Sequence, residues 1–130
     1  MPITHRVNEA TQSLETRATG CVTAEELERH LQIEERDGFI ALDELFDARD
    51  ATTDLTSDQV RTFVRRTEEL AQRGRLGAVA FVTENKVTFG MARMYQLLCD
   101  DRPVRVGVFR DAPSARLWLE SLRVRASGGP

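Results

Sequence analysis

The stretch LTSDQVRTFVRRTEELAQRGRLGAVAFVT, residues 55–83, decides the fold. Its first part is a helix with both ends written into it. Thr56 and Gln59 stand three apart as a capping box, and Leu55 and Val60 flank them as a hydrophobic staple. Val60, Phe63, Val64, Leu70 and Ala71 recur at helical spacing, and Gly74 stands where a C-terminal glycine belongs. The period then changes. GAVAFVT (77–83) is a continuous run of small, β-branched and aromatic residues, the pattern of a strand buried on both faces. A helix that runs into such a strand predicts a crossover within a parallel sheet.

The same alternation extends outward. FIALDELF (39–46) is an apolar run of strand length, and DARDATTD (47–54) reads as a loop. Before them, Thr23 and Glu26 repeat the capping box between Val22 and Leu27, which predicts a helix from Ala24 that stops before Gly38. ITHRV (3–7) and SLETRAT (13–19) alternate apolar or small residues with polar ones around the turn-like NEATQ, and so read as an antiparallel hairpin. Downstream come a helix in VTFGMARMYQLLC (87–99), a strand in RPVRVGVFR (102–110) and a helix in DAPSARLWLESL (111–122), with Asp111 as N-cap. The order is β-β-α-β-α-β-α-β-α. It predicts an α/β protein with a mixed, mostly parallel sheet of about five strands and four helices. A single domain over residues 1–123 accounts for it, with 124–130 expected as a flexible tail.

Composition narrows the function. Of 130 residues, 41% are hydrophobic and 30% charged, which describes a globular chain with one core. The net charge of −3 and the dispersed arginines give no footprint for nucleic acid. No apolar run approaches the ~18 residues of a membrane span, and the N-terminus has no signal-peptide pattern, so no integral membrane association and a cytoplasmic location are expected. Cys21 and Cys99 are far apart and in no metal or redox spacing; both read as small buried hydrophobes. The histidines, His5 and His30, read as solvated or locally packed side chains and imply no metal site. No nucleophile elbow, P-loop, dinucleotide turn or HExxH motif is present, so neither an enzyme nor a cofactor is expected.

FGMARMYQLL (89–98) and VGVFRDAPSARLWL (106–119) carry a resemblance. Together with the element order, they resemble the STAS/SpoIIAA-like (STAS/SEC14-type) uncharacterised bacterial proteins, related in fold to anti-sigma-factor antagonists. The resemblance implies a binding or regulatory domain that meets a protein partner, or a second copy of itself, at the carboxyl edge of the sheet. It also implies an alternative, a carrier with an apolar ligand under a helix. A further alternative is a phosphorylation-switched antagonist. Such antagonists carry an Asp-Ser-Ser-Gly type sequence between the third strand and second helix. This chain has FDARDATTDLTSDQ there, which leaves Thr56 and Ser57 as the candidate hydroxyls.

Two groups of residues are candidate contacts. Asp43, Glu44, Asp47, Asp50 and Asp54 crowd the end of the third strand, where ligands of parallel sheets bind. Paired carboxylates can share acid–base work or bind a hard cation; a neighbouring helix N-terminus and neutralisation from Arg49 account for them more simply. On the third helix, Val87, Met91, Met94, Tyr95 and Leu98 form an apolar face for the core, and Gly90 permits a close neighbour. Phe89 and Arg93 share the other side at i and i+4, within reach of a cation–π contact. Arg93 could equally pair with Asp47 or Asp50. Phe89, Arg93, Lys86, Asp47, Arg49 and Asp50 are therefore the candidate partner- or ligand-binding residues. They would rim a cleft that takes a protein or a small apolar or anionic ligand.

Overall fold

Alternation builds the hairpin. In the computed structural model, which describes residues 2–99 and 104–128 and side chains no further than Val124, β1 (Ile3–Asn8) pairs antiparallel with β2 (Ser13–Val22). There follow α1 (Ala24–Arg36), β3 (Asp43–Thr53), α2 (Ser57–Arg73), β4 (Val79–Val82), α3 (Lys86–Leu98), β5 (Val106–Phe109) and α4 (Ala112–Gly128). The strands lie in the order β1-β2-β3-β4-β5, with β2 to β5 parallel. Successive right-handed crossovers that advance in one direction put their helices on one face. α1, α2 and α3 accordingly share a face, and α4 covers the other through Ala115 and Leu119 against Leu45, Ala80 and Val82. No helix among the described residues is long and apolar enough to cross a membrane.

Both capping boxes form as the sequence predicts. Thr23 and Glu26 bond reciprocally at the start of α1, and Thr56 and Gln59 do so at α2. Gly38, just past α1, has φ +77, the left-handed turn that glycine makes without strain. Asp111 accepts the Ser114 N–H at 2.8 Å and caps α4.

Several boundaries differ from the expectations. DARDATTD is largely strand: β3 begins only at Asp43 and runs to Thr53, because the extended β2 pairs with it past a bulge between Arg17 and Thr19. Ala48 and Ala51 are its inward residues, small enough to hide in a segment that otherwise looks polar. α3 starts one residue early, at Lys86, because the Asn85 side chain accepts the N–H groups of Val87 and Thr88. Gly74 ends α2 in extended backbone, φ 171, not in a left-handed turn. Cys21 is exposed while Cys99 is buried, since β-alternation turns Val22 inward and its neighbour out. The backbone of α4 continues through Gly128, so most of the expected tail is helical; residues 129–130 lie outside the described ones.

Glycine is needed at one close approach and not at another. A Cβ on Gly77 would lie 2.0 Å from the Leu42 carbonyl oxygen, whereas one on Gly90 would meet nothing within 4 Å. Gly90 thus has no neighbour to accommodate, contrary to the expectation. Gly77→Ala is expected to destabilise by about 3 kcal/mol or more through backbone overlap. Gly90→Ala should stabilise by about 1 kcal/mol through helix propensity. Thermal melts of the two variants check both signs.

Candidate functional site: a polar cluster in the wall of an apolar cavity

α1 turns Leu27, His30, Leu31 and Glu34 toward the sheet, the i, i+3, i+4, i+7 pattern of an inward stripe. The middle of that stripe is polar. His30 and Glu34 are the residues of α1 that are buried, and β3 brings buried Glu44 to meet them. The Nε2 of His30 lies 2.8 Å from Glu34 Oε1 and 2.9 Å from Glu44 Oε2. Thr16 of β2 donates its hydroxyl to Glu44 Oε2 at 2.5 Å. Three successive elements thus converge on one imidazole nitrogen.

Burial favours the neutral imidazole. The hydrogen bonds to Glu34 and Glu44 outweigh it, and the pKa of His30 is pushed up to about 10. Burial, followed by the charge of Glu44, raises Glu34 to about 7 against the opposing pull of His30. At neutral pH the cluster therefore holds an imidazolium between carboxyl groups that share less than two full negative charges.

The cluster forms part of the wall of a cavity of about 190 Å³ between the sheet and α1, α2 and α3. Ala18, Ala48 and Ala51 contribute small side chains to the sheet side. Leu27, Val60, Phe63 and Met91 contribute from the helices. Aromatic rings cross the same face: His30 to Phe46 at 5.8 Å, Phe46 to Phe81 at 5.2 Å and Phe81 to Tyr95 at 6.1 Å. Tyr95 and Thr67 share a hydroxyl–hydroxyl hydrogen bond of 2.8 Å, and burial pushes the Tyr95 phenol up, so it stays protonated. One end of the cavity, at Thr52, Thr53 and Thr88, lies near the cleft expected between the third strand and third helix.

None of the six candidate binding residues lines that cavity. Asp47 is engaged by Arg49, whose Nη2 lies 2.8 Å from Asp47 Oδ2, and the guanidinium holds the Asp47 carboxyl below its usual range. Asp50 pairs with Arg17. Lys86 is exposed in the first turn of α3. The Phe89–Arg93 contact does not form. Arg110, leaving β5, places its guanidinium carbon 4.3 Å from the Phe89 ring centroid, while Arg93 bonds Gln96. Nor does Arg93 meet Asp47 or Asp50, since both acids are already taken. The acids do not converge either: alternation sends Glu44 to the helix-covered face and Asp43 to the Ala78 N–H at 2.9 Å.

The burial of His30 among carboxyl groups was not legible from sequence, because a lone histidine carries no signal by itself. The signal lay in its register. His30 and Glu34 are i and i+4, and both fall on the stripe that Leu27 and Leu31 mark as buried.

The shifts fix a pH dependence. His30 has a folded pKa of about 10 against an ordinary 6.5, so its pairing contributes stability that is full below about pH 6.5 and lost as pH rises toward 10. Glu34, raised from 4.5 to about 7, adds a contribution that is full below about pH 4.5 and gone near 7. Denaturant midpoints of chelator-treated protein should therefore fall between about pH 7 and about pH 9.5, and His30→Gln should flatten that slope.

No family model matches the sequence, and no curated protein matches it. Among solved structures, the chain is similar to an uncharacterised protein of the DUF3478 family with a SpoIIAA-like fold, from Shewanella loihica PV-4. The two share 17% sequence identity at a TM-score of 0.58, over 90% of this chain and 91% of the other. At that identity the likeness is one of architecture: the five-stranded, four-helix α/β layer described above is a SpoIIAA-like fold.

Proposed function

We propose that the chain is a non-catalytic binding domain that takes a small, mostly apolar molecule into the cavity beneath α3. The cavity itself carries this reading. An apolar space of about 150 Å³ in a protein interior is enough to hold benzene, and this one measures about 190 Å³. A monocyclic aromatic or a short alkyl chain fits that size. A polar end would find hydrogen-bonding partners at His30 and Glu34 or at Thr67 and Tyr95. The first contact of a ligand with the domain would be α3, whose Thr88, Met91, Ala92 and Tyr95 form one wall.

Toluene, hexanol, hexylamine and hexanoic acid are suitable probes. At least one should raise the melting temperature saturably, as a ligand specific to the native state must. Ala92→Leu, which puts three more carbons into the wall with a residue that is still a good helix former, should keep the fold and abolish the shift. No shift from any probe, with only the bare chain mass under native mass spectrometry, would reject the carrier.

A second reading rests on the outer side of α3. Val87 is 60% and Leu97 62% exposed, with Leu98 beside them. These side chains suit a protein partner or a second copy of the chain. Val87→Glu and Leu97→Glu should each shift a sedimentation profile toward monomer. A wild type that is monomeric at every concentration would remove the homodimer. For the phosphorylation switch, Ser57 is the more available hydroxyl, because Thr56 Oγ1 accepts the Gln59 N–H at 3.2 Å.

A further inference from the structure

The polar cluster poses a problem that hydrogen bonding alone solves poorly. Two carboxylates address the same nitrogen, His30 Nε2, at 2.8 and 2.9 Å. An imidazole nitrogen carries a single N–H and can direct it at one acceptor. Glu34 and Glu44 can meet the shortfall only by holding a proton between them, which sets a carboxyl–carboxylate pair against the imidazole in a buried site where charge is expensive. A cation at the point where the three groups converge would serve all of them at once.

The spacing agrees. Metal bonds of about 2.0–2.1 Å to imidazole nitrogen and carboxylate oxygen separate adjacent donor atoms by about 2.9 Å at right angles and about 3.4 Å at the tetrahedral angle of zinc, so the carboxylates need open by only about half an ångström to admit it. The three donor atoms, one from each residue, lie within 4.8 Å of one another. Thr16 hydrogen-bonds Glu44 Oε2, the kind of outer contact that fixes the orientation of a metal-binding carboxylate. His30, Glu34 and Glu44 all line the cavity, which gives an ion both an approach and room for further ligands. The rings of Phe46 and His5 pack against His30, with ring centroids 5.8 and 5.7 Å from its own.

We propose that His30, Glu34 and Glu44 bind one divalent first-row transition-metal ion, with its remaining coordination positions facing the cavity. One nitrogen and two carboxylate donors suit zinc, iron(II) or manganese better than calcium, which prefers six or more oxygens. The ion enters as the imidazolium proton leaves, so affinity rises with pH. The site goes beyond the carrier reading and does not rest on it, because every donor named belongs to the chain.

The test uses chelator-stripped full-length protein and zinc ions, with no apolar probe present, so its failure leaves the carrier reading to its own experiment. Calorimetry should give one zinc per chain, and magnesium at the same concentration should give none. Glu34→Gln and Glu44→Gln should each weaken zinc at least about tenfold, and Glu25→Gln, at an exposed carboxyl of the same helix, should leave it unchanged. Since a cluster variant could fail to fold, imidazole ¹⁵N spectra of the unaltered chain give a second measurement: zinc should shift His30 Nε2. An unmoved His30 nitrogen at saturating zinc, retention of full affinity in folded Glu34→Gln, or loss of binding in Glu25→Gln would each overturn the proposal.

Discussion

The bond between α1 and the sheet is an electrostatic one, and the shape of the helix-covered face follows from it. A helix normally settles on a sheet through aliphatic side chains that slide until the gap closes. The buried residues of α1 are instead His30 and Glu34, tied by directional hydrogen bonds to Glu44 of β3. Its flank is charged as well: Arg66 of α2 reaches Glu28 at 3.0 Å and Glu35 at 3.2 Å. Such bonds fix the helix at a set height and rotation. Beneath it the sheet offers Ala18, Ala48 and Ala51, which do not fill the space. An unfilled apolar volume of this size costs on the order of a few kcal/mol, so the cavity persists because the helix above it is held by geometry that does not relax to close it.

The orientation of α3 is set the same way. Its most apolar arc would turn Val87 and Leu98 inward, yet the arc facing the cavity is Thr88, Met91, Ala92 and Tyr95. Three polar contacts impose that rotation. Asn85 caps the first turn, the Tyr95 hydroxyl bonds Thr67 of α2, and the Gln96 side chain donates to the Val106 carbonyl of β5 at 2.9 Å. A rotation that buried Val87 would break the Tyr95 and Gln96 bonds, leaving their partners without water or protein to replace them. The consequence is a helix that turns several large apolar side chains outward.

These two features mark the limit of what the sequence discloses. Element order, the two capping boxes and the parallel sheet were legible because they depend on local chemistry and on hydrophobic period, which neighbouring residues determine. The rotation of α3 was not, because Gln96 to Val106 and Tyr95 to Thr67 are contacts between elements and leave no trace in the periodicity of α3 itself. β3 was read short because Asp43 to Thr53 owes its extent to pairing with β2, not to its own mostly polar residues. Phe89 is half-buried and does not line the cavity. Its arginine was misassigned because the helix offers Arg93 at the right spacing, while the chain leaving β5 delivers Arg110 to the ring. Glu44 stood in plain view among the acids of its segment, but only the pleat separates it from Asp43 and turns it toward His30.

The cavity and the cluster constrain each other further. A buried group of charges does not outdo well-packed aliphatic residues in stability, and removing one member leaves the others uncompensated. Stability alone therefore gives little reason for His30, Glu34 and Glu44 to meet inside α1's footprint, where leucines would hold the helix as firmly and fill the void. Placing them in the wall of an apolar space has a distinct chemical effect. The surrounding alanines and rings keep the local dielectric low, so any charge or hydrogen-bonding group that arrives there interacts more strongly than it would at the surface. The Thr67–Tyr95 pair gives the same space a second, neutral polar point, reached from His30 by way of Phe46 and Phe81. The cavity is thus polar at separated points and apolar between them, an arrangement that selects an occupant by the position of its polar atoms as well as by its bulk.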